Sequence, residues 1–413
     1  MLKKIAILTA ATGMLATSMA VLAEGPTVHG RIAFGFKSVS GETDADDSQR
    51  IDDNPGSRFG FSGSNDLGNG MSVDYLLEYD ANRNTDSRLR LRHANMSLNG
   101  SFGQFRLGQQ TGVLYRYIGS NSDQSWVVGG PEWYAIAGKS DTNLNSDHSL
   151  RMRNIAAYRF GAGPGGDDPI TFDIQVQSVD MSTAERNSSA ATEGVGGETG
   201  VPITTRAVPA VTYKAAMDDS ESIDSVTFAA ATALGPVKLQ VAYVDENGSD
   251  ATGKRSPNLL SFGFRAPLGS AEVRGHMTQV DADTMEDRDD NKAWGLLVMN
   301  DFGGGYFGMI GVGSYTDGGK GDDGDGTAPA VNRNAGAGYT APAHKNAGDM
   351  TNMYAMLTKS FGGGLSANVE YSTVSKTITK AIPAGQDVTD SAFTVDDDEE
   401  NTNTLVLYLL QNF

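Results

Sequence analysis

Hydrophobic and polar residues alternate along most of this chain. In MSVDYLLEYD (71–80), Val73 and Tyr75 flank Asp74, and the alternation continues on both sides. Side chains of a β-strand point to its two faces in turn, so the pattern predicts strands with one apolar and one polar face. About sixteen such runs occur, near 27–38, 57–64, 71–80, 88–98, 104–110, 150–160, 169–178, 222–234, 236–245, 257–266, 270–280, 291–300, 306–316, 350–360, 365–374 and 403–413.

The segments between these runs alternate in length. Short turns such as NDLGNG (65–70) are followed by long polar loops, which span 39–56, 111–149, 179–221, 317–349 and 375–402. Short turns on one side and long loops on the other indicate an up-and-down meander. An apolar outer face suits lipid. Closure of the sheet into a barrel would pair every backbone N–H and C=O group, as lipid requires. We therefore predict an all-β fold, a transmembrane 16-stranded antiparallel up-and-down β-barrel.

The chain ends in the apolar segment LVLYLLQNF (405–413). Leu405, Leu407, Leu409 and Phe413 share one face, and Gln411 interrupts that run. We expect this last strand to close the barrel against the first strand. The alternative is a buried last strand of a soluble fold.

The N-terminus has the features of a secretory signal peptide. Two lysines precede an apolar stretch (5–22), and the small-residue site at 21–23 suits cleavage. We predict a signal peptide at 1–23 and a mature barrel at 24–413, with cleavage near Ala20 as a lesser option and a membrane anchor as the alternative. No later segment has 18 consecutive apolar residues, so we expect no membrane-spanning helix.

The composition narrows the possible partners. The formal net charge is −19 and cysteine is absent. Such an acidic chain argues against nucleic acid as a partner, and an exported chain without cysteine must gain its stability without disulfides.

No motif indicates a cofactor or an enzyme. The five histidines lack metal-binding spacing and there is no G-x-S-x-G, so we expect neither a resident metal nor catalysis. Carboxylates cluster at 320–327 and 395–403. They could bind calcium or magnesium, share divalent cations with lipid phosphates outside, or remain solvated.

Several stretches resemble the trimeric general-diffusion porins of Gram-negative bacteria. They are TVHGRIAFGF, GSRFGFSGSNDLGNGMSVDYLLEYD, RHANMSLNGSFGQFRLGQQTG, GGPEWY, RMRNIAAYRF and the terminal Phe413. The resemblance implies a homotrimer of 16-stranded barrels in the outer membrane, in contact with lipid and lipopolysaccharide. It also implies that the last strand is read by the outer-membrane assembly machinery.

The resemblance also implies a pore constriction. A third loop, here 111–149, would fold inward, with Glu132 of GGPEWY as its acidic group. The opposite wall would carry four arginines, Arg31, Arg58, Arg92 and Arg151. One departure concerns the loop path, because Trp133-Tyr134-Ala135 stand where the family usually has glycines. Further acidic candidates are Asp123, Asp141 and Asp147.

The residues support part of this assignment independently. Arg88, Arg90 and Arg92 lie on one face of SRLRLRH, opposite Leu89 and Leu91. An arginine facing lipid near the midplane would cost about 2–4 kcal/mol, so this face should point into the lumen. Met96 and Leu98 would then also point inward unless a bulge intervenes.

Other roles for these charged residues stay open. The arginines could instead pair with wall acids such as Asp74 and Glu78. Glu132 could instead accept backbone N–H groups of its own loop.

The implied function is passive diffusion of small hydrophilic solutes and ions through a wet pore. Arginines facing carboxylates would set up a field that favours polar solutes and biases ion choice. Two alternatives remain, a substrate-selective channel of similar build and a closed-lumen adhesin or surface protein. The 43-residue stretch 179–221 would suit the latter.

Overall fold

Seventeen antiparallel strand segments account for most of the described chain. The computed structural model describes residues 25–41, 47–52, 56–81, 89–125, 127–138, 148, 150–166, 168–178, 223, 225–246, 258–281, 291–316, 349–379 and 397–413. The predicted signal peptide (1–23), the loop 179–221, the carboxylate cluster 320–327 and the candidates Asp141 and Asp147 lie outside these residues.

The strands are β1 (Thr27–Ser40), β2 (Ser48–Asp52), β3 (Arg58–Gly68), β4 (Met71–Asp80), β5 (Arg90–Gly100), β6 (Gly103–Thr111), β7 (Arg151–Phe160), β8 (Ile170–Gln177), β9 (Ser225–Leu234), β10 (Val237–Glu246), β11 (Leu259–Leu268), β12 (Ala271–Val280), β13 (Asn291–Gly303), β14 (Tyr306–Thr316), β15 (Met350–Gly362), β16 (Leu365–Thr379) and β17 (Asp397–Asn412). From β3 onward each strand pairs with the next in sequence. Each of the sixteen predicted runs overlaps one of these strands.

The last strand closes the sheet on the first. β17 pairs with β1 from Arg31 opposite Asn412 to Ser40 opposite Asn403. Beyond this ladder, Gly30 and Phe413 exchange two backbone hydrogen bonds of 3.0 Å. The predicted seam between the two ends of the barrel is thereby confirmed.

The short strand β2 and the strand β3 pair with different parts of the same edge of β1. β3 pairs with the first part of β1, at Thr27 to Arg31, and β2 pairs with the later part, at Gly35 to Val39. The two segments therefore form one interrupted wall strand, and the barrel has the predicted sixteen strands. The prediction of a loop throughout 39–56 was wrong at 39–40, where β1 continues, and at 48–52, where β2 supplies partners for the backbone groups of β1.

Alternation places apolar side chains on the outside of the barrel. On β17, Leu407 and Leu409 are exposed by 42% and 58%, whereas Val406, Tyr408 and Leu410 between and beside them are buried. The outward face predicted for the last strand is confirmed.

A bulge at Arg92 restores this alternation on β5. His93 lies opposite Glu78 and Leu91 opposite Tyr79, so Arg92 is an extra residue in the ladder. The Gln109 side-chain amide donates to the carbonyls of Leu91 and Arg92. Arg92 and Ser97 are therefore buried inside, while Met96 is 58% exposed on the outer face. The sequence pattern allowed for a bulge in this strand, and the structure contains one at Arg92.

Two short helices interrupt the connection between β6 and β7. They are α1 (Val113–Tyr117) and α2 (Pro131–Ala137), with a 3₁₀ turn at Gly119–Asn121. Among the described residues, no helix is long and apolar enough to cross a membrane. Leu114, Tyr117, Ile118, Trp133 and Ile136 are fully buried and belong to one apolar core with inward wall residues of β9 to β15.

Candidate functional site

The connection after β6 follows the inner wall of the barrel. Its beginning is held at β8, where the Val113 N–H donates to Gln175 Oε1 at 2.9 Å. The 3₁₀ turn is held at β10 and β11. Asn121 donates to Gln240 Oε1 at 2.8 Å and accepts from Arg265 Nε at 2.8 Å.

The far end of the connection reaches β16. The fully buried Glu370 carboxylate accepts the N–H groups of Val127 at 2.9 Å and Val128 at 3.2 Å. Tyr408 of β17 donates its hydroxyl to the same carboxylate at 2.6 Å. Backbone donors of a segment without strand partners thus obtain a charged acceptor from the wall.

Helix α2 returns across β12 to β15. It starts after Gly130, which has the left-handed φ of 65° that glycine adopts readily, and Pro131 occupies its first turn. Glu132 is fully buried, accepts from Asn352 Nδ2 at 2.9 Å and lies 3.4 Å from His276 Nε2.

Two glycines make room for the Glu132 carboxyl group. A Cβ atom at Gly295 or Gly313 would lie 2.5 Å from atoms of that side chain. The structure therefore places Glu132 where α2 meets the wall. Among the described residues its ion-pair partner is His276, and it forms no ion pair with the four arginines.

Three of the four arginines meet on the opposite side of the lumen. Arg31 lies directly opposite Arg58 in the β1–β3 ladder, and the bulge turns Arg92 toward them. Glu78 of β4 contacts Arg92 Nε at 2.8 Å and Arg58 Nε at 3.3 Å. One of the wall acids considered from sequence, Glu78, is therefore the shared counter-ion of Arg58 and Arg92.

The remaining contacts complete this arginine group. Arg92 also pairs with Asp80, and Arg31 Nε donates to the Gly56 carbonyl at 2.8 Å. The other wall acid considered, Asp74, instead accepts from Ser64 at 2.6 Å and Asn99 at 2.7 Å.

The four arginines differ in their access to the lumen. Arg31 and Arg92 are buried, whereas the Arg58 side chain is 26% exposed. Arg151, half-buried at the start of β7, lies within electrostatic range of Arg58, Arg92 and Tyr134 of α2.

Asp123 is the acid that the connection presents beside Tyr134. Its Oδ2 accepts the hydroxyls of Tyr115 at 2.9 Å and Tyr134 at 2.5 Å. Burial raises the pKa of the Asp123 carboxyl to about 6, although the two phenol hydrogen bonds oppose this shift. From sequence, Asp123 was only a secondary candidate.

A second arginine group was missed from sequence. Arg106 of β6, Arg116 of α1 and Arg159 of β7 converge near Asp173 of β8. The apolar residues on either side of Arg106 and Arg159 are a signal that these two side chains face inward. No local pattern connects them with Arg116.

The family described as Gram-negative porin matches residues 8–306. The chain belongs to this family. This porin is an outer-membrane β-barrel channel for passive diffusion. No curated protein sequence matches it significantly.

Solved structures of outer-membrane proteins share the fold of this porin at low sequence identity. The anion-selective porin from Comamonas acidovorans has a TM-score of 0.62 at 13% identity, covering 94% of this chain and 99% of its own. OmpF of Salmonella typhi, in complex with daunomycin, has a TM-score of 0.57 at 14% identity, covering 94% and 97%. In vitro folded OmpT of Vibrio cholerae, in a trimer form, has a TM-score of 0.54 at 12% identity, covering 94% and 100%.

Proposed function

We propose that small hydrophilic solutes and ions cross this porin between two charged sides of a constriction. One side is the arginine group, Arg31, Arg58, Arg92 and Arg151. The other is the inward-folding loop 111–149, with Asp123, Tyr115 and Tyr134 facing the lumen. The supporting observation is the path of the connection, whose wall contacts run from β8 to β16 and leave the arginine strands β1, β3 and β5 on the other side.

Within this proposal the five site residues have different roles. Arg58 and Arg151 contact passing solutes, since they are half-buried whereas Arg31 and Arg92 are buried. The buried Arg31 and Arg92 contribute positive charge to the same field. Glu132 positions the loop through its contacts with β12 and β15, and Asp123 supplies the facing carboxylate.

The transport step is passive and involves no bond making or breaking. Water and polar solutes align in the field between guanidinium and carboxylate groups, whereas an apolar solute must displace ordered water without compensation. We propose accordingly that the porin is not an enzyme.

We also propose that the porin is a homotrimer that contacts outer-membrane lipid and lipopolysaccharide and is folded by the outer-membrane assembly machinery. Support comes from the trimer form of the structurally similar OmpT and from the apolar outer faces of the strands. Native mass spectrometry of the detergent-extracted protein should give three copies per particle, and a monomer would contradict the assembly.

The constriction is tested by single-channel currents in a planar bilayer under a salt gradient. We expect stepwise ohmic conductance, and Arg58→Ala should shift the reversal potential toward cation preference. Lys292→Ala is the matched control, because this exposed residue of β13 alternates with the buried Ala293 and faces outward. Unchanged selectivity in Arg58→Ala and Arg92→Ala would remove the arginines from the mechanism, and a silent bilayer would favour a closed-lumen surface protein.

A further inference from the structure

The second arginine group lies toward the end of the lumen that carries the short turns. Arg106 follows the turn at 101–102, and Arg159 precedes the turn after Phe160. Phe105 and Leu107, on either side of Arg106, are 39% and 50% exposed on the outer face. Arg106 therefore points into the lumen.

This group holds more positive charge than its counter-ion balances. Its nearest carboxylate is the buried Asp173, which Arg159 Nε contacts at 3.1 Å and 3.2 Å. Arg116 Nη2 lies farther away, at 3.8 Å from Asp173 Oδ2. Asp74 also acts on Arg106 at longer range. However, its oxygens accept from Ser64 and Asn99.

Two of the guanidinium groups have unused donors. The Nε atoms of Arg106 and Arg116 are buried, and neither has a hydrogen-bond partner among the described residues. Buried donors are almost always paired, so an unpaired N–H in a charged group indicates a missing acceptor. The group remains accessible, since the Arg116 and Arg159 side chains are 15% and 17% exposed.

We propose that Arg106, Arg116 and Arg159 form a binding site for a doubly charged oxyanion of the phosphate class. Guanidinium groups present planar pairs of N–H donors that match two oxygens of such an anion. Asp173 offsets one of the three positive charges, and a doubly charged anion balances the other two. A chloride ion would supply neither the second charge nor the several acceptor oxygens.

The proposal rests on the passive-channel function, because the anion reaches the site through the lumen. It adds a stage after the constriction, where an oxyanion binds before it leaves at the short-turn end. Saturable binding there would make the porin partly selective for phosphate-bearing solutes.

The experiment measures inhibition of potassium chloride current by inorganic phosphate at pH 8, using folded protein in a planar bilayer. We expect saturable inhibition in the unmodified protein and about 10-fold weaker inhibition in Arg106→Gln, which loses one charged donor group. A parallel titration with glycerol 3-phosphate distinguishes free phosphate from a phosphate ester. Heat-dependent gel mobility verifies that each variant is folded.

The matched control is Arg274→Gln. Arg274 of β12 carries the same charge near the same end of the barrel, but its Nε donates to Glu272 Oε1 at 2.7 Å. Inhibition that persists in Arg274→Gln and weakens in Arg106→Gln supports the site. Equal weakening in both variants would assign the effect to the general field of the lumen and overturn the site.

The remaining outcomes separate the site from the channel. Normal chloride conductance without saturable phosphate inhibition would overturn the site and leave the proposed function intact. A channel silent in chloride alone would overturn both.

Discussion

The carboxylate of Glu370 should determine how firmly the connection between β6 and β7, the proposed constriction loop, is held. It accepts two backbone N–H groups of the loop and the Tyr408 hydroxyl, and it is fully buried. Glu370→Ala removes this acceptor, so Val127 N–H loses its partner and Val128 N–H keeps only Ser125 Oγ, at 3.1 Å. Val127 is half-buried and Val128 is buried.

The magnitude follows from these contacts. Hydrogen bonds to a charged acceptor contribute about 1.5–3 kcal/mol, so losing the Glu370 carboxylate should destabilise the closed loop by about 1.5–3 kcal/mol. Glu370→Gln retains an oxygen for the two valines, and the Tyr408 hydroxyl can accept from the new amide. This variant loses only the negative charge of the acceptor, so we expect it to destabilise the closed loop by about 1 kcal/mol.

Hydrogen exchange of the Val127 and Val128 amides in detergent-solubilised protein measures this local opening. Exchange should be about 10-fold to 150-fold faster in Glu370→Ala and about 5-fold faster in Glu370→Gln. Asp74→Ala is the control, because that carboxylate contacts Ser64 and Asn99 and not the loop. Equal exchange in Glu370→Ala and the unmodified protein would refute the reasoning.

Three further predictions concern charge, strand phase and packing. Because the pKa of Asp123 is about 6, acidification from pH 7 to pH 5 should neutralise this carboxyl and increase anion preference, and Asp123→Asn should abolish that pH step. Since burial raises this pKa above its ordinary value of 3.8, the folded loop should gain stability as pH falls from about 6 toward 4. Met96→Arg places a charge on the lipid face and should lower the free energy of unfolding by about 2–4 kcal/mol, measured by urea unfolding from lipid vesicles. Asn95 faces inward, so an equal decrease in Asn95→Arg would contradict the bulge. Gly313→Ala adds a Cβ 2.5 Å from Glu132 Cδ, so the α2 amides should exchange faster, and unchanged exchange would argue against this contact.

Strand positions could be predicted because alternation is a property of neighbouring residues. The run predicted at 71–80 coincides with Met71–Asp80, and the face of the last strand follows from Leu407 and Leu409 alone. The five residues of β2 could not be predicted in this way. Their conformation depends on the extended β1 beside them and not on their own pattern.

The candidate site depends on contacts between distant parts of the chain, so less of it could be predicted. The inward direction of Arg92 followed from its neighbours, and Glu78 was considered as its partner. The environment of Glu132 could not be found locally, because His276 and Asn352 are 144 and 220 positions away. The second arginine group likewise combines two strands and a five-residue helix, too short to give a periodic signal.

The seam between β1 and β17 has a consequence for biogenesis. Arg31 to Ser40 find their β17 partners at the opposite end of the polypeptide, so a chain that is still emerging has two open sheet edges until its last strand arrives. Such edges invite pairing with other chains and hence aggregation. The protein must therefore be kept from premature self-association during export, and the barrel cannot close before β17 is present.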